Sequence, residues 1–179
     1  CQTNASDPNS RPLDSDNDGI CDGMDDDDGS MILMVYPSAV LELSLNVTMP
    51  NFIPYTAGGD IDTWEISPAL PLGLNFDGVS PARSTSHTGV ISGMPTELMD
   101  PTLYTVWANN SEHSSVYTIM VSVLTDNDLD GLPDVYDDDD DNDGWSDEME
   151  DLCSNDAMDG SNAPQDSDGD EICNAVDDD

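Results

Sequence analysis

The sequence predicts a mostly β protein, one β-sandwich flanked on both sides by irregular, cation-dependent acidic repeats that carry local disulfides. Three observations predict it. Of forty acidic side chains, nine fall in residues 1–29 and twenty-three in residues 126–179, against eight in the ninety-six residues between. That middle stretch alternates apolar and polar residues between short clusters of turn formers. The two ends are copies of each other: residues 153–179 match residues 1–27 without a gap at thirteen of twenty-seven positions, both cysteines included. The chain therefore divides into an acidic repeat (1–29), a sandwich (30–125) and further acidic repeats (126–179).

In the first segment Asp14, Asp16, Asp18, Asp22 and Asp25 stand at places one, three, five, nine and twelve of a twelve-residue window, with Gly19 sixth and Ile20 seventh. Alternate residues of a tight loop turn their side chains inward, and a glycine makes the bend that a side chain would obstruct. The seventh residue offers its backbone carbonyl. A set of hard oxygens with this spacing suits calcium, which takes six to eight of them at about 2.3–2.6 Å.

Seven stretches of the middle segment read as strands: 31–36, 40–47, 63–67, 73–76, 89–93, 103–110 and 115–124. Seven short strands separated by Gly, Pro, Asn and Ser make a sandwich. In the last of them Tyr117, Ile119, Val121 and Val123 form the apolar face, while Val116, Thr118, Met120, Ser122 and Leu124 form the other. Trp64 and Trp107 fall in strand patterns and are expected in the core.

Beyond residue 125 the loop spacing returns twice in succession. Asp126, Asp128, Asp130, Asp134 and Asp137 form one window with Gly131 sixth and Leu132 seventh; Asp139, Asp141, Asp143, Asp147 and Glu150 form the next with Gly144 sixth and Trp145 seventh. A last window holds Asp166, Asp168, Asp170 and Asp177, with Ile172 seventh, Asn174 ninth and Glu171 where glycine belongs. That substitution predicts a distorted site, or one in which Glu171 faces a neighbouring ion. Four windows imply at least four calcium ions, and shared carboxylates such as Asp138, Asp140 and Asp151 would raise the number.

The net charge of −38 excludes nucleic acid and anionic membranes as electrostatic partners. Two carboxylates about 6 Å apart repel by roughly 0.7 kcal/mol even in water. Dozens of such pairs would outweigh a net stability of about 5–15 kcal/mol, so bound cations belong to the folded state. No apolar run approaches the roughly 20 residues of a membrane span. Four cysteines permit three pairings. The internal repeat favours Cys1 with Cys21 and Cys153 with Cys173, since both pairs have the same spacing inside equivalent segments. Disulfides beside a calcium-dependent array suit an extracellular or cell-surface location. Asn4, Asn46 and Asn109 head N-x-S/T sequons and are candidate glycosylation sites.

The acidic ends resemble thrombospondin type 3 repeats, through DSDNDGICDGMDDDDG, DNDLDGLPDVYDDDDDNDGWSDEMED and DSDGDEICNAVDDD. The resemblance implies loops wrapped on a line of calcium ions and stapled by disulfides. Glu171 and Asn174 depart from that pattern. The middle is similar to the immunoglobulin-like domains of microbial surface proteins, through residues 64–77, 88–97 and 104–123. This implies an Ig-like, cadherin-type sandwich. Neither family implies catalysis.

The residues themselves agree. His87 and His113 are the only histidines, and no nucleophile motif such as GxSxG accompanies them. The expected function is structural: an extracellular, calcium-stabilised repeat protein forming a rod or filament. Its partners would be copies of itself, as tandem modules or head to tail. SMILMVY (30–36) is a candidate donor strand, membership of its own sandwich being the plainer expectation. The alternative is a calcium-dependent adhesin or carbohydrate-binding module with surface glycans as partners.

Overall fold

The computed structural model describes Cys21, Met24 and residues 31–78 and 88–178. Period-two alternation sets the longest strands. In β9 (Ser114–Leu124) the side chains of Ile119, Val121 and Val123 are buried, Tyr117 packs partly against the core and Val116 is exposed. Its partner β8 (Met99–Asn109) buries Tyr104, Val106 and Ala108 in the same way. The two pair antiparallel, with Tyr104 opposite Ile119 and Val106 opposite Tyr117.

Around this hairpin the chain builds two facing layers. β2 (Val40–Ser44) joins β9 in parallel, and β5 (Thr63–Ser67) joins β8 antiparallel, giving the sheet order β2-β9-β8-β5. Opposite lie β3 (Met49–Phe52), β7 (Val90–Gly93) and β6 (Leu74–Asp77), in the order β3-β7-β6. β1 (Ile32–Val35) pairs with β4 (Tyr55–Gly58) of its own chain. The core contains Ile32, Met34, Trp64, Ile91, Val106 and Val121, drawn from both layers. The protein is mostly β, as the alternation predicts.

Tyr36 ties the layers together. Its ring stacks on Phe52 at 5.2 Å and its hydroxyl donates to the carbonyl of Gly89. Burial pushes that hydroxyl's pKa up. Gly89 has φ +64°, and a Cβ there would stand 2.4 Å from the Trp64 ring, so this position accepts only glycine without rearrangement.

Three expectations are corrected. Trp107 lies half-buried on the outer face of β8, opposite Glu65 and Val116, because alternation sends Val106 and Ala108 inward instead. β3 and β4 do not alternate in sequence and were not predicted; pairing to β7 and β1 defines them. Among the described residues there is also one short helix, α1 (Asp147–Cys153), inside the acidic segment.

Candidate metal centre

From Asp126 onward the acidic segment repeats one backbone design three times. We number its loops by their first aspartate: loop 1 from Asp126, loop 2 from Asp139 and loop 3 from Asp166. The fourth and sixth positions both take positive φ: Leu129 (65°) and Gly131 (102°), Asn142 (58°) and Gly144 (98°), Gly169 (84°) and Glu171 (69°). The first aspartate accepts the sixth amide each time, from Gly131 at 3.0 Å, Gly144 at 3.1 Å and Glu171 at 2.9 Å. The fifth aspartate accepts the seventh amide, from Leu132, Trp145 and Ile172, at 2.7–2.9 Å.

Position nine closes each loop. Asp134, Asp147 and Asn174 donate their amides to the carbonyls of Thr125, Asp138 and Gln165. Their side-chain oxygens accept the second amide, from Asn127 at 2.7 Å, Asp140 at 2.9 Å and Ser167 at 2.9 Å. An amide oxygen is also an acceptor, which is why Asn174 keeps the clamp. Glu171 likewise holds the backbone conformation that glycine holds elsewhere. The last loop keeps the two positive-φ positions, and Asp166, Asp168 and Asp170 converge as their counterparts do. Asp166 also accepts the Gly169 amide at 2.7 Å, however, whereas in loops 1 and 2 the aspartate at position three accepts the fifth amide.

The loops bring the expected carboxylates together. One oxygen from each of Asp126, Asp128 and Asp130 lies within 4.8 Å of the others, as do those of Asp139, Asp141 and Asp143 and those of Asp166, Asp168 and Asp170. These three clusters could hold metal ions. In loop 2 the twelfth residue, Glu150, is not among the oxygens that converge within 4.8 Å, but the charges of Asp141, Asp143 and Asp139 act on it. In loop 3 Asp177 acts on Asp168. In loop 1 Asp137 accepts the amide of Asp139 at 3.1 Å and acts on Asp140, at the junction with loop 2.

What these side chains lack is as informative as what they touch. Glu150 is 0% exposed and neither of its carboxylate oxygens has a hydrogen-bond partner. Buried oxygens of Asp126, Asp139, Asp140, Asp141 and Asp143 are also unpartnered. Burial, then the charges of Asp141, Asp143, Asp139 and Asp147, pushes Glu150 up to about 7. Burial and the charges of Asp147, Asp134 and Asp137 push Asp140 up to about 6. Asp128 goes the other way, held below the usual carboxylate range by the Asp130 amide and the Asn142 side chain. Buried carboxylates without donors are costly unless a cation meets them. The donor set is all hard oxygen, which suits calcium or magnesium rather than a thiophilic metal.

α1 positions Glu150. Ser146 caps its first turn by accepting the Met149 amide at 3.4 Å, and Asp147, Glu148 and Glu150 lie where the helix dipole favours acids. Sequence reading gave Glu150 its place by spacing alone. The cap signal of Ser146 followed by Asp147 and Glu148 would have located the helix.

The loops also hold one another. Asn142 of loop 2 donates to Asp128 of loop 1 at 2.7 Å, and Asn127 donates to the Met158 carbonyl at 3.0 Å. Cys153 at the end of α1 is bonded to Cys173 in loop 3. The ladder meets the sandwich where Tyr136 donates to Glu42 of β2 at 2.9 Å and Asp134 to Thr125 at 3.0 Å.

The remaining candidates fall as follows. Asp14, Asp16, Asp18, Ile20, Asp22 and Asp25, with Cys1, Asn4 and His87, lie outside the described residues. Cys21 is disulfide-bonded. Asn46 is exposed in the turn after β2, whereas the Asn109 side chain bonds Thr63, Glu65 and Ser114. Trp145 is half-buried, and His113 is exposed at the β8–β9 turn.

Fold and site together define a mostly β protein whose sandwich runs directly into acidic loops with the geometry to hold cations. No protein-family model matches the chain, and no curated protein matches it. Among solved structures, 50% of the chain is similar to two candidate alpha-galactosidases of Bacteroides fragilis NCTC 9343, at 24% identity with TM-score 0.38 and at 20% identity with TM-score 0.39. Those matches span only 17% of either enzyme chain. A chimeric titin Z1Z2 functionalized with a decorin peptide is similar over 51% of this chain and 94% of its own, at 11% identity and TM-score 0.35. Likenesses this distant carry no argument about activity. Among the described residues no helix is long and apolar enough to cross a membrane.

Proposed function

We propose that the chain is an extracellular, calcium-stabilised structural module, in which rigid calcium ladders of the thrombospondin type 3 kind join Ig-like β-sandwiches into a rod or filament. The observation that carries this reading is Glu150, wholly buried and unpartnered beside Asp139, Asp141 and Asp143. Among the described residues no hydrogen-bond donor meets this carboxylate, and a divalent ion would.

The ions would be held by Asp126, Asp128 and Asp130 in loop 1, by Asp139, Asp141, Asp143 and Glu150 in loop 2, and by Asp166, Asp168 and Asp170 in loop 3. Asp140, between Asp134, Asp137 and Asp147, would serve an ion shared by the first two loops. A bound ion replaces repulsion between carboxylates with coordination and stiffens the segment. The Tyr136 bond to Glu42 and the Asp134 bond to Thr125 support a fixed angle between ladder and sandwich. The disulfide supports an oxidising location. Catalysis has no place in this reading.

The test is amide hydrogen exchange with calcium and after EGTA, paired with negative-stain images of the same samples. At about 100 times the dissociation constant each ion adds roughly 2.7 kcal/mol, or 100-fold protection. Residues 126–178 should lose protection on chelation while residues 31–124 keep theirs, and rods should shorten or bend. Equal protection of the acidic segment in both samples would remove the proposal. Discrete particles that bind glycans would favour the adhesin instead.

A further inference from the structure

The three loops share their positive-φ positions and their position-nine clamp but not an environment. In loop 2 Asp139, Asp141 and Asp143 are all half-buried, and Glu150 is fully buried on a capped helix. Loop 1 grades from buried Asp126 to exposed Asp130, and in loop 3 both Asp168 and Asp170 are exposed. Charge density and rigidity of the ligand set tune calcium affinity. By that measure loop 2 is the strongest of the three and loop 3 the weakest.

The loops are also joined asymmetrically, through position four. Asn142 occupies it in loop 2 with φ 58°, between the ligands Asp141 and Asp143. From there its amide nitrogen reaches Oδ2 of Asp128 in loop 1 at 2.7 Å, while the Asp130 amide holds Oδ1 of the same carboxylate at 3.0 Å. Both oxygens of Asp128 are thus held by neutral donors, which leave its charge intact. Loop 3 has Gly169 at the matching position, and glycine has no side chain with which to reach back to loop 2.

The geometry points to ordered filling: loop 2 takes calcium first, and Asn142, fixed by that ion's ligands on either side, holds Asp128 so that loop 1 binds next and more tightly. This rests on the calcium reading above. Asn142 is a positioning residue here, since it orients a ligand rather than contributing one. Coupling of this kind runs through one bond and is reciprocal, so filling loop 1 strengthens loop 2 by the same factor. Loop 3, with Gly169 at the matching position, stays outside this route.

Terbium luminescence in the full chain tests the order, followed by calcium competition. Trp145 in loop 2 sensitises an ion bound there, with W145F as the background. The double variant L132W/W145F moves the reporter to loop 1. The loop 2 reporter should fill at a lower concentration than the loop 1 reporter. N142A should raise the loop 1 midpoint about 3- to 10-fold, the scale of one net hydrogen bond. Its intrinsic loop 2 affinity, read at concentrations where loop 1 is empty, should stay within about twofold. N142D, which cannot donate and repels Asp128, should weaken loop 1 further, and E150Q should shift both reporters.

Equal shifts of both reporters in N142A would mean general loosening and overturn the proposal, as would no shift at all or a loop 1 that fills first. Terbium emission from neither reporter, with no calcium uptake, would overturn the calcium reading itself.

Discussion

The sandwich and the ladder are built on opposite principles within one chain. In the sandwich, side chains such as Ile91, Val106, Ile119 and Val121 are fully buried with no polar atom to satisfy, and the backbone pairs strand to strand. In the ladder, the most buried side chain is a glutamate, and the backbone amides are met by aspartate side chains of the same loop. One half is stabilised by excluding water, the other by surrounding charge. Solution conditions should therefore act on them separately.

The largest expected separation comes from the sandwich core. Ile91→Ala removes a fully buried side chain between the layers and should cost about 2–5 kcal/mol. Measured by thermal or urea unfolding in calcium, the loss should appear in the sandwich transition. The terbium midpoint of loop 2 should not move. A shift in both would mean that the two halves unfold as one unit.

Next in size is the staple. Cys153→Ser with Cys173→Ser opens a loop whose ends are 20 residues apart, worth roughly 3 kcal/mol in the chain-entropy model. Proteolysis in calcium should then release fragments from residues 154–178 before any cut in the sandwich. Cuts that begin elsewhere would assign the rigidity of this end to something other than the disulfide.

A third test uses pH. Without calcium, Glu150 and Asp140 bind protons in the folded state up to about 7 and about 6, well above their values in an unfolded chain. The folded ladder then holds more protons than the unfolded one between about pH 4.5 and 7, so its stability falls as pH rises through that window. In EGTA, protection of residues 126–178, corrected for intrinsic exchange, should be several-fold higher at pH 5 than at pH 7.5. With calcium the trend should reverse, because protons and calcium compete for the same oxygens. The sandwich should follow neither trend.

The smallest effect belongs to the seam. Tyr136→Phe removes one exposed hydrogen bond to Glu42, worth about 0.5–1.5 kcal/mol at most. Stability should hardly change, whereas the spread of angles between ladder and sandwich in images should widen. An unchanged spread would leave the Asp134–Thr125 bond as the controlling contact.

How much of this was legible in the sequence also differs between the halves. Strand TWEIS was read at its true bounds, since Trp64 and Ile66 alternate with Thr63, Glu65 and Ser67 and cis-Pro68 follows directly. MPNF and YTAG were missed because Pro50 and Gly58 discourage a strand locally, and only their partners in β7 and β1 make them strands. In the ladder, spacing located every first, third and fifth aspartate of the described loops. It could not foretell the positive φ of Glu171, which no pattern of residue types specifies. Nor could it reveal that Asn142 reaches into the neighbouring loop, since that contact depends on how successive loops stack.

The parallel pairing of β2 with β9 has a mechanical consequence. The chain enters β2 at Val40 and leaves β9 at Leu124, and five residue pairs face each other between these strands. A pull applied across Val40 and Leu124 drags the strands past each other lengthwise. All five pairs then bear load together instead of parting one by one, so the module should yield abruptly at a high force, a signature that a single-molecule extension curve would record.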